Sequence, residues 1–232
     1  MQTNLRAMLA EFIGSFALIF IGAGSAAALG PGHITAVAFA HGLTIMAFAC
    51  AFGDISGCHI NPAVTIGVAA AGEFPTKRVV PYVAAQLAGA VAAGFVLLAI
   101  FGGPVNGLGT TVIDTKRITD EGGFALEAIG TFFLVTIVLH SAIRGSAGRL
   151  APFAIGMTVT ICILMFGVLT GGSVNPARTL GPAVATGIYD GIGIYLIAQV
   201  VGGIVAGLAY RALWMQPVTM GSRNVGAPAA VR

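Results

Sequence analysis

The triplet Asn-Pro-Ala occurs twice, at Asn61-Pro62-Ala63 and Asn175-Pro176-Ala177, with three long apolar segments between the copies. Asn caps a helix N-terminus, and Pro at the first helical position gives up only a donor that would be unpaired anyway, so each triplet predicts a helix start. Residues 61–72 and 175–186 are 12 residues each. As helix that reaches ~18 Å, about half of a bilayer core. Only 8% of the residues are charged and 57% are apolar, so these half-helices lie in a membrane protein. An odd number of crossings between them brings the chain to the second triplet from the opposite side. The two short helices can then meet end to end inside the bilayer.

Near-continuous apolar runs at 7–29, 34–52, 79–101, 124–143, 150–169 and 191–214 are each close to the ~20 residues that span a bilayer as helix. The first run follows Arg6 and ends near Ala26-Ala27-Ala28, which by itself suits a cleaved leader. Against that, its opening Ala10-Glu11-Phe12-Ile13-Gly14-Ser15-Phe16 recurs as Leu126-Glu127-Ala128-Ile129-Gly130-Thr131-Phe132. Gly42 pairs with Gly156, Asn61 with Asn175 and Gln86 with Gln199, all at offsets of 113–116 residues. The chain is therefore a duplication, with repeats at about 5–101 and 122–214, a Gly-rich connection at 102–121 and a tail at 216–232 read as disordered. Three spans per half force the halves into opposite orientations. The expected fold is one all-α membrane domain over residues 1–232, with six transmembrane helices and two re-entrant half-helices in an inverted repeat.

Arg6, Lys77, Arg78, Arg144, Arg149, Arg211, Arg223 and Arg232 fall on one side of that topology, and Lys116 and Arg117 on the other. The positive-inside rule then puts both termini in the cytoplasm. The short tail and the lack of a targeting extension suggest a prokaryotic inner membrane. The formal charge of +3 comes from residues scattered by topology, so it gives no reason to expect a nucleic-acid partner. Cys50 and Cys162 read as membrane-buried thiols rather than halves of a disulfide. No grouping of Ser, His and Asp, or of His and Glu, has a spacing that supports catalysis or a metal site.

Ser56-Gly57-Cys58-His59-Ile60-Asn61-Pro62-Ala63-Val64-Thr65, together with Ser173-Val174-Asn175-Pro176-Ala177-Arg178, resembles the aquaporin (major intrinsic protein) family over about residues 5–214. The resemblance implies a passive, bidirectional channel for water and small neutral solutes, a homotetramer with one pore per subunit in the lipid bilayer, and no cofactor. Facing helix N-termini would bring ~+0.5 of effective charge each to the pore centre and repel cations. Asn61 and Asn175 would cap their helices through the side-chain oxygen and leave the amide nitrogen for the pore. Non-helical backbone before them, with Gly57, Cys58, His59, Gly171 and Ser173, would offer carbonyls to it, since such backbone is tolerable only where it meets water or protein.

Arg178 is a cation in an apolar segment, by default a functional residue, with a structural ion pair as the bland alternative. By position in the family motif it belongs to a selectivity set with His41, Ile163 and Gly172. Bacterial water channels resemble Phe, His, Thr, Arg at these places. The set here looks instead like one found in plant tonoplast aquaporins that pass ammonia as well as water, although the histidine those proteins carry in the mid-chain connection is absent. Glycerol facilitators resemble Asp directly after the Arg and a basic residue four further on, where Thr179 and Ala183 stand. Leu196 beside Tyr195 departs from the aromatic pair typical of water channels and leaves room for other small solutes.

Glu11 and Glu127, equivalent in the repeat, are read as supports that accept hydrogen bonds from the non-helical loops, with Gln86 and Gln199 as further struts; the competing reading is snorkelling to the interface. His59 is placed in the cytoplasmic vestibule, and Cys58 in the same half of the pore, where mercurials would reach it. His33 and His140 look interfacial. A secondary transporter with inverted repeats is the alternative outside the family, disfavoured because no coupling carboxylate is expected near the midplane.

Overall fold

A computed structural model describes residues 2–215, and the tail expectation for 216–232 lies outside the described residues. Six helices are long and apolar enough to cross a membrane: α1 (Asn4–Leu29), α2 (Ile34–Ser56), α4 (Thr76–Phe101), α5 (Asp120–Ile143), α6 (Gly148–Thr170) and α8 (Ile192–Leu213). Two short helices, α3 (Pro62–Ala70) and α7 (Pro176–Thr186), lie between α2 and α4 and between α6 and α8. There are no strands among the described residues. Large apolar side chains such as Val80, Ile100, Ile129, Phe133, Met165 and Ile197 are exposed on the outside, as lipid requires.

Both short helices begin as the triplets predict. The Asn61 side-chain oxygen accepts from the backbone N–H of Ala63 and Val64, and that of Asn175 from Ala177 and Arg178, with Pro in the first turn each time. Both asparagines hold extended backbone, φ −158° and −157°.

The halves interlock through glycines. α3 packs on α8 of the other repeat and α7 packs on α4. A Cβ at Gly67 would stand 2.6 Å from the Gly203 carbonyl oxygen, and one at Gly181 2.7 Å from that of Ala90. Gly203, and Gly207 one turn further on, thus serve a contact within the chain, between α8 and the first half-helix. α2 and α6 cross at the equivalent residues Gly42 and Gly156. Small residues allow this close approach where lipid gives no hydrophobic drive for helix association.

The Gly-rich connection between the repeats folds inward. Helix α5 already starts at Asp120, capped by Thr119, and Val105–Gly109 forms a tight turn with Leu108 fully buried. Asn106 Nδ2 donates to the Ala27 carbonyl at 2.7 Å, tying this turn down onto the end of α1. Buried apolar residues, Leu108 and Ile113, are what draw it inward.

Candidate functional site

The two segments that precede the half-helices are held in the same way. Glu11 Oε1 accepts from Ser56 Oγ at 2.7 Å and from the His59 N–H at 2.8 Å, and Oε2 accepts from the Ile60 N–H and Gln86 Nε2, both at 2.7 Å. Glu127 repeats this with Thr170 Oγ1, the Ser173 and Val174 N–H groups and Gln199 Nε2, at 2.6–3.0 Å. Both glutamates and both glutamines are fully buried. Tyr82 and Tyr195, neither of them expected to support the loops, add equivalent bonds to the carbonyls of Ser56 and Thr170. Thr65 and Thr179 join the glutamine struts on the two half-helices. The repeat offset was the signal that could have found all four.

The segments meet at the centre. Asn61 Nδ2 donates to the Val174 carbonyl at 2.8 Å and Asn175 Nδ2 to the Ile60 carbonyl at 2.9 Å, so each helix cap is bonded to the opposite repeat. The amide nitrogens are therefore half committed: each keeps one of its two N–H groups for another acceptor. The carbonyls of Ile60 and Val174 are likewise taken. Those of Gly57, Cys58, His59, Gly171, Gly172 and Ser173 receive no protein donor among the described residues.

A cavity of about 690 Å³ runs from Asp54, Gly148 and Arg149 at one face, past Gly57, Cys58 and His59, to Asn61, Asn175, His41 and Arg178. Leu18, Ile45, Val64, Leu134, Val138 and Val159 supply apolar wall. Cys50 is exposed on the protein surface and borders this cavity, whereas Cys162 is buried. His59 borders the same space and packs its ring on Phe74 and Tyr82, with Nδ1 3.1 Å from Thr65 Oγ1. Glu11 and Glu127 do not line it.

Arg178 is 3% exposed, and its Nη1 donates to the Gly109 carbonyl at 2.7 Å. Nε has no partner, and no carboxylate lies within ion-pair distance of it among the described residues. An ion pair is thus not what holds this cation. His41 lines the cavity with it. Ile163 and Gly172 touch each other instead: a Cβ at Gly172, where φ is 59°, would stand 2.9 Å from Ile163 Cα. Gly172 therefore seats Ile163. Gly171, of the five loop residues expected to offer carbonyls, lies against Thr111 on its Cα side. His33 is exposed at the start of α2, and His140 sits edge-on to Tyr210 and Trp214. Gly109, Asn106 and Thr111 escaped the sequence reading, because a loop that folds inward carries no periodicity to betray it.

Six spans, two half-helices abutting through their N-terminal caps and a largely apolar cavity that carries a few polar groups at those caps define a helical membrane channel. Residues 1–210 match the family Major intrinsic protein, and the chain belongs to that family of passive channels. It is 40% identical over 224 residues to "Probable aquaporin TIP2-2" of Oryza sativa subsp. japonica, covering 91% of this chain and 88% of the relative. To "Aquaporin Z" of Rhodopseudomonas palustris it is 36% identical over 232 residues, covering 92% and 95%. The structure superposes on the aquaglyceroporin from Plasmodium falciparum with a TM-score of 0.81 at 25% identity, over 90% of this chain and 96% of that one.

Proposed function

We propose that the chain conducts water, and ammonia with it, through the cavity between the half-helices, and excludes ions and protons. The observation that carries this is the pair of caps: Asn61 and Asn175 each reach the opposite loop and keep one N–H for a solute at the point where two helix N-termini meet. A water there accepts from both and donates outward, which interrupts a proton wire. Loop carbonyls without protein donors form the acceptor side of the path. His41, Ile163, Gly172 and Arg178 form the selective constriction in this reading. Arg178 supplies fixed positive charge and a free Nε donor, and His41 supplies a polar face where an aromatic ring would otherwise stand.

Relatives named TIP2-2 and TIP2-1, from rice, Arabidopsis thaliana and Zea mays, support reading the quartet with the plant set. Coupled transport finds no support: each of the two buried glutamates already accepts four hydrogen bonds, from two loop N–H groups, a span-end hydroxyl and a glutamine strut. A glycerol channel is the second reading, favoured by the likeness to an aquaglyceroporin and by Leu196. Thr179 and Ala183 oppose it; both are buried, and Thr179 is bonded to Ser173 and Gln199. The exposed apolar faces suit a homotetramer in a bilayer, with the Arg6 and Arg149 side cytoplasmic in an inner membrane.

Stopped-flow light scattering on proteoliposomes tests the reading. Water should move with a low activation energy and no saturation, and ammonia flux should exceed a protein-free control. Glycerol flux as fast as water flux would replace the first reading by the second.

A further inference from the structure

Helix α1 winds as a π-helix over Leu18–Ala23, and Gly22 lies in that turn with its carbonyl accepting from Ser25 Oγ at 2.7 Å. Single π turns inside α-helices are frequent at functional positions. Beside Gly22 stands the His41 ring: a Cβ on Gly22 would fall 2.5 Å from Cδ2, 2.7 Å from Nε2 and 2.8 Å from Cγ. His41 is 2% exposed and anchored from its other edge, Nδ1 to the Val37 carbonyl at 2.8 Å; since a carbonyl only accepts, Nδ1 carries the proton. His41 lines the cavity and Gly22 does not, so the ring stands between the π turn and the path.

We propose that Gly22, set against His41 by the π turn, is a positioning residue that determines how far the imidazole projects toward Arg178 and hence the width of the constriction. This rests on the reading of His41 as part of that constriction. The ring is pinned by Val37 on one edge and by α1 on the other. A methyl group at position 22 can be accommodated only by driving the imidazole into the path or by breaking its bond to Val37. Overlaps of this size force side chains off their rotamers rather than vanish by small shifts. Ile163 is seated on Gly172 in a comparable way, so two walls of the constriction rest on glycines.

Water permeability of reconstituted G22A, H41A and G22A/H41A proteins tests this. G22A is expected to lower it roughly tenfold, a barrier increase of about 1.4 kcal/mol, while the same change in the H41A background lowers it no further. Equal losses in both backgrounds, or no loss in G22A, would overturn the proposal, since general misfolding does not depend on the imidazole. Should G22A alone fail to fold, recovery of a monodisperse, conducting G22A/H41A protein supports the proposal and continued misfolding overturns it. The constriction reading fails separately if H41A leaves the ratio of water to glycerol flux unchanged.

Discussion

Ile60 and Val174 hold φ values of 42° and 46°, and Cys58 holds 47°. β-branched residues in this region are outliers, at a cost of order 1–3 kcal/mol each. What holds them is next to them in space: the Glu11 and Glu127 carboxylates accept the N–H of Ile60 and Val174, and the asparagine amides cover their carbonyls. Removing one carboxylate strands four donors, among them two backbone N–H groups, each costing ~1–3 kcal/mol if left unpaired. Glu11→Ala and Glu127→Ala should therefore each lower the denaturation temperature in detergent by many degrees and abolish conduction, with similar magnitudes for the two. A shift confined to one of them would contradict the equivalence of the networks. Cys58 lines the cavity, and mercurial inhibition should disappear in Cys58→Ser while wild-type conductance is kept. Inhibition surviving that change would point to Cys50, the other thiol on the wall.

At the scale of elements, the connection between the repeats works as a clamp on Arg178. The turn Val105–Gly109 presents the Gly109 carbonyl to the guanidinium, and Gly109 holds φ 68° with its Cβ position 2.7 Å from the Ala23 carbonyl oxygen. No other residue type fits both demands. Gly109→Ala meets a left-handed penalty of ~1–2 kcal/mol and the carbonyl clash together. It should unseat Arg178, lower water permeability and raise leakage of urea or glycerol, measured in the same vesicles. Unchanged solute selectivity would show that the connection does not control the arginine. The half-helices carry a parallel expectation. Asn175→Ala removes a cap, worth ~1 kcal/mol, together with the bond to Ile60, so conductance and thermal stability should fall together.

For the whole molecule, the two repeats are joined by exchange: each half-helix rests on the last span of the other half, through backbones that only glycine lets approach. Neither half can complete its own cavity wall. Gly181→Leu should prevent α7 from reaching Ala90 and Gly94 on α4, reducing the yield of monodisperse protein to near zero. An equally expressed, conducting variant would refute the interlocked arrangement. Outward-facing Val80, Ile100 and Met165 should tolerate apolar exchange with little change in stability, because lipid solvates one aliphatic side chain much as another.

Much of this architecture was legible along the chain. The spans, the duplication, both half-helices and the pairing of Glu11 with Glu127 follow from hydropathy, an offset and a capping triplet, all of which act over short sequence distances or repeat. Tyr82, Tyr195, Thr65 and Thr179 were readable in principle from the same offset. Other features were decided by the tertiary structure alone. The asparagine amides reach across to the opposite repeat, the 105–113 segment folds inward to hold Arg178, Cys50 borders the cavity, and Gly22 and Gly172 make room for His41 and Ile163. Each of these depends on contact between segments far apart in the chain, where sub-ångström clearance and the direction of a single polar atom decide the outcome, and neither composition nor periodicity encodes that clearance.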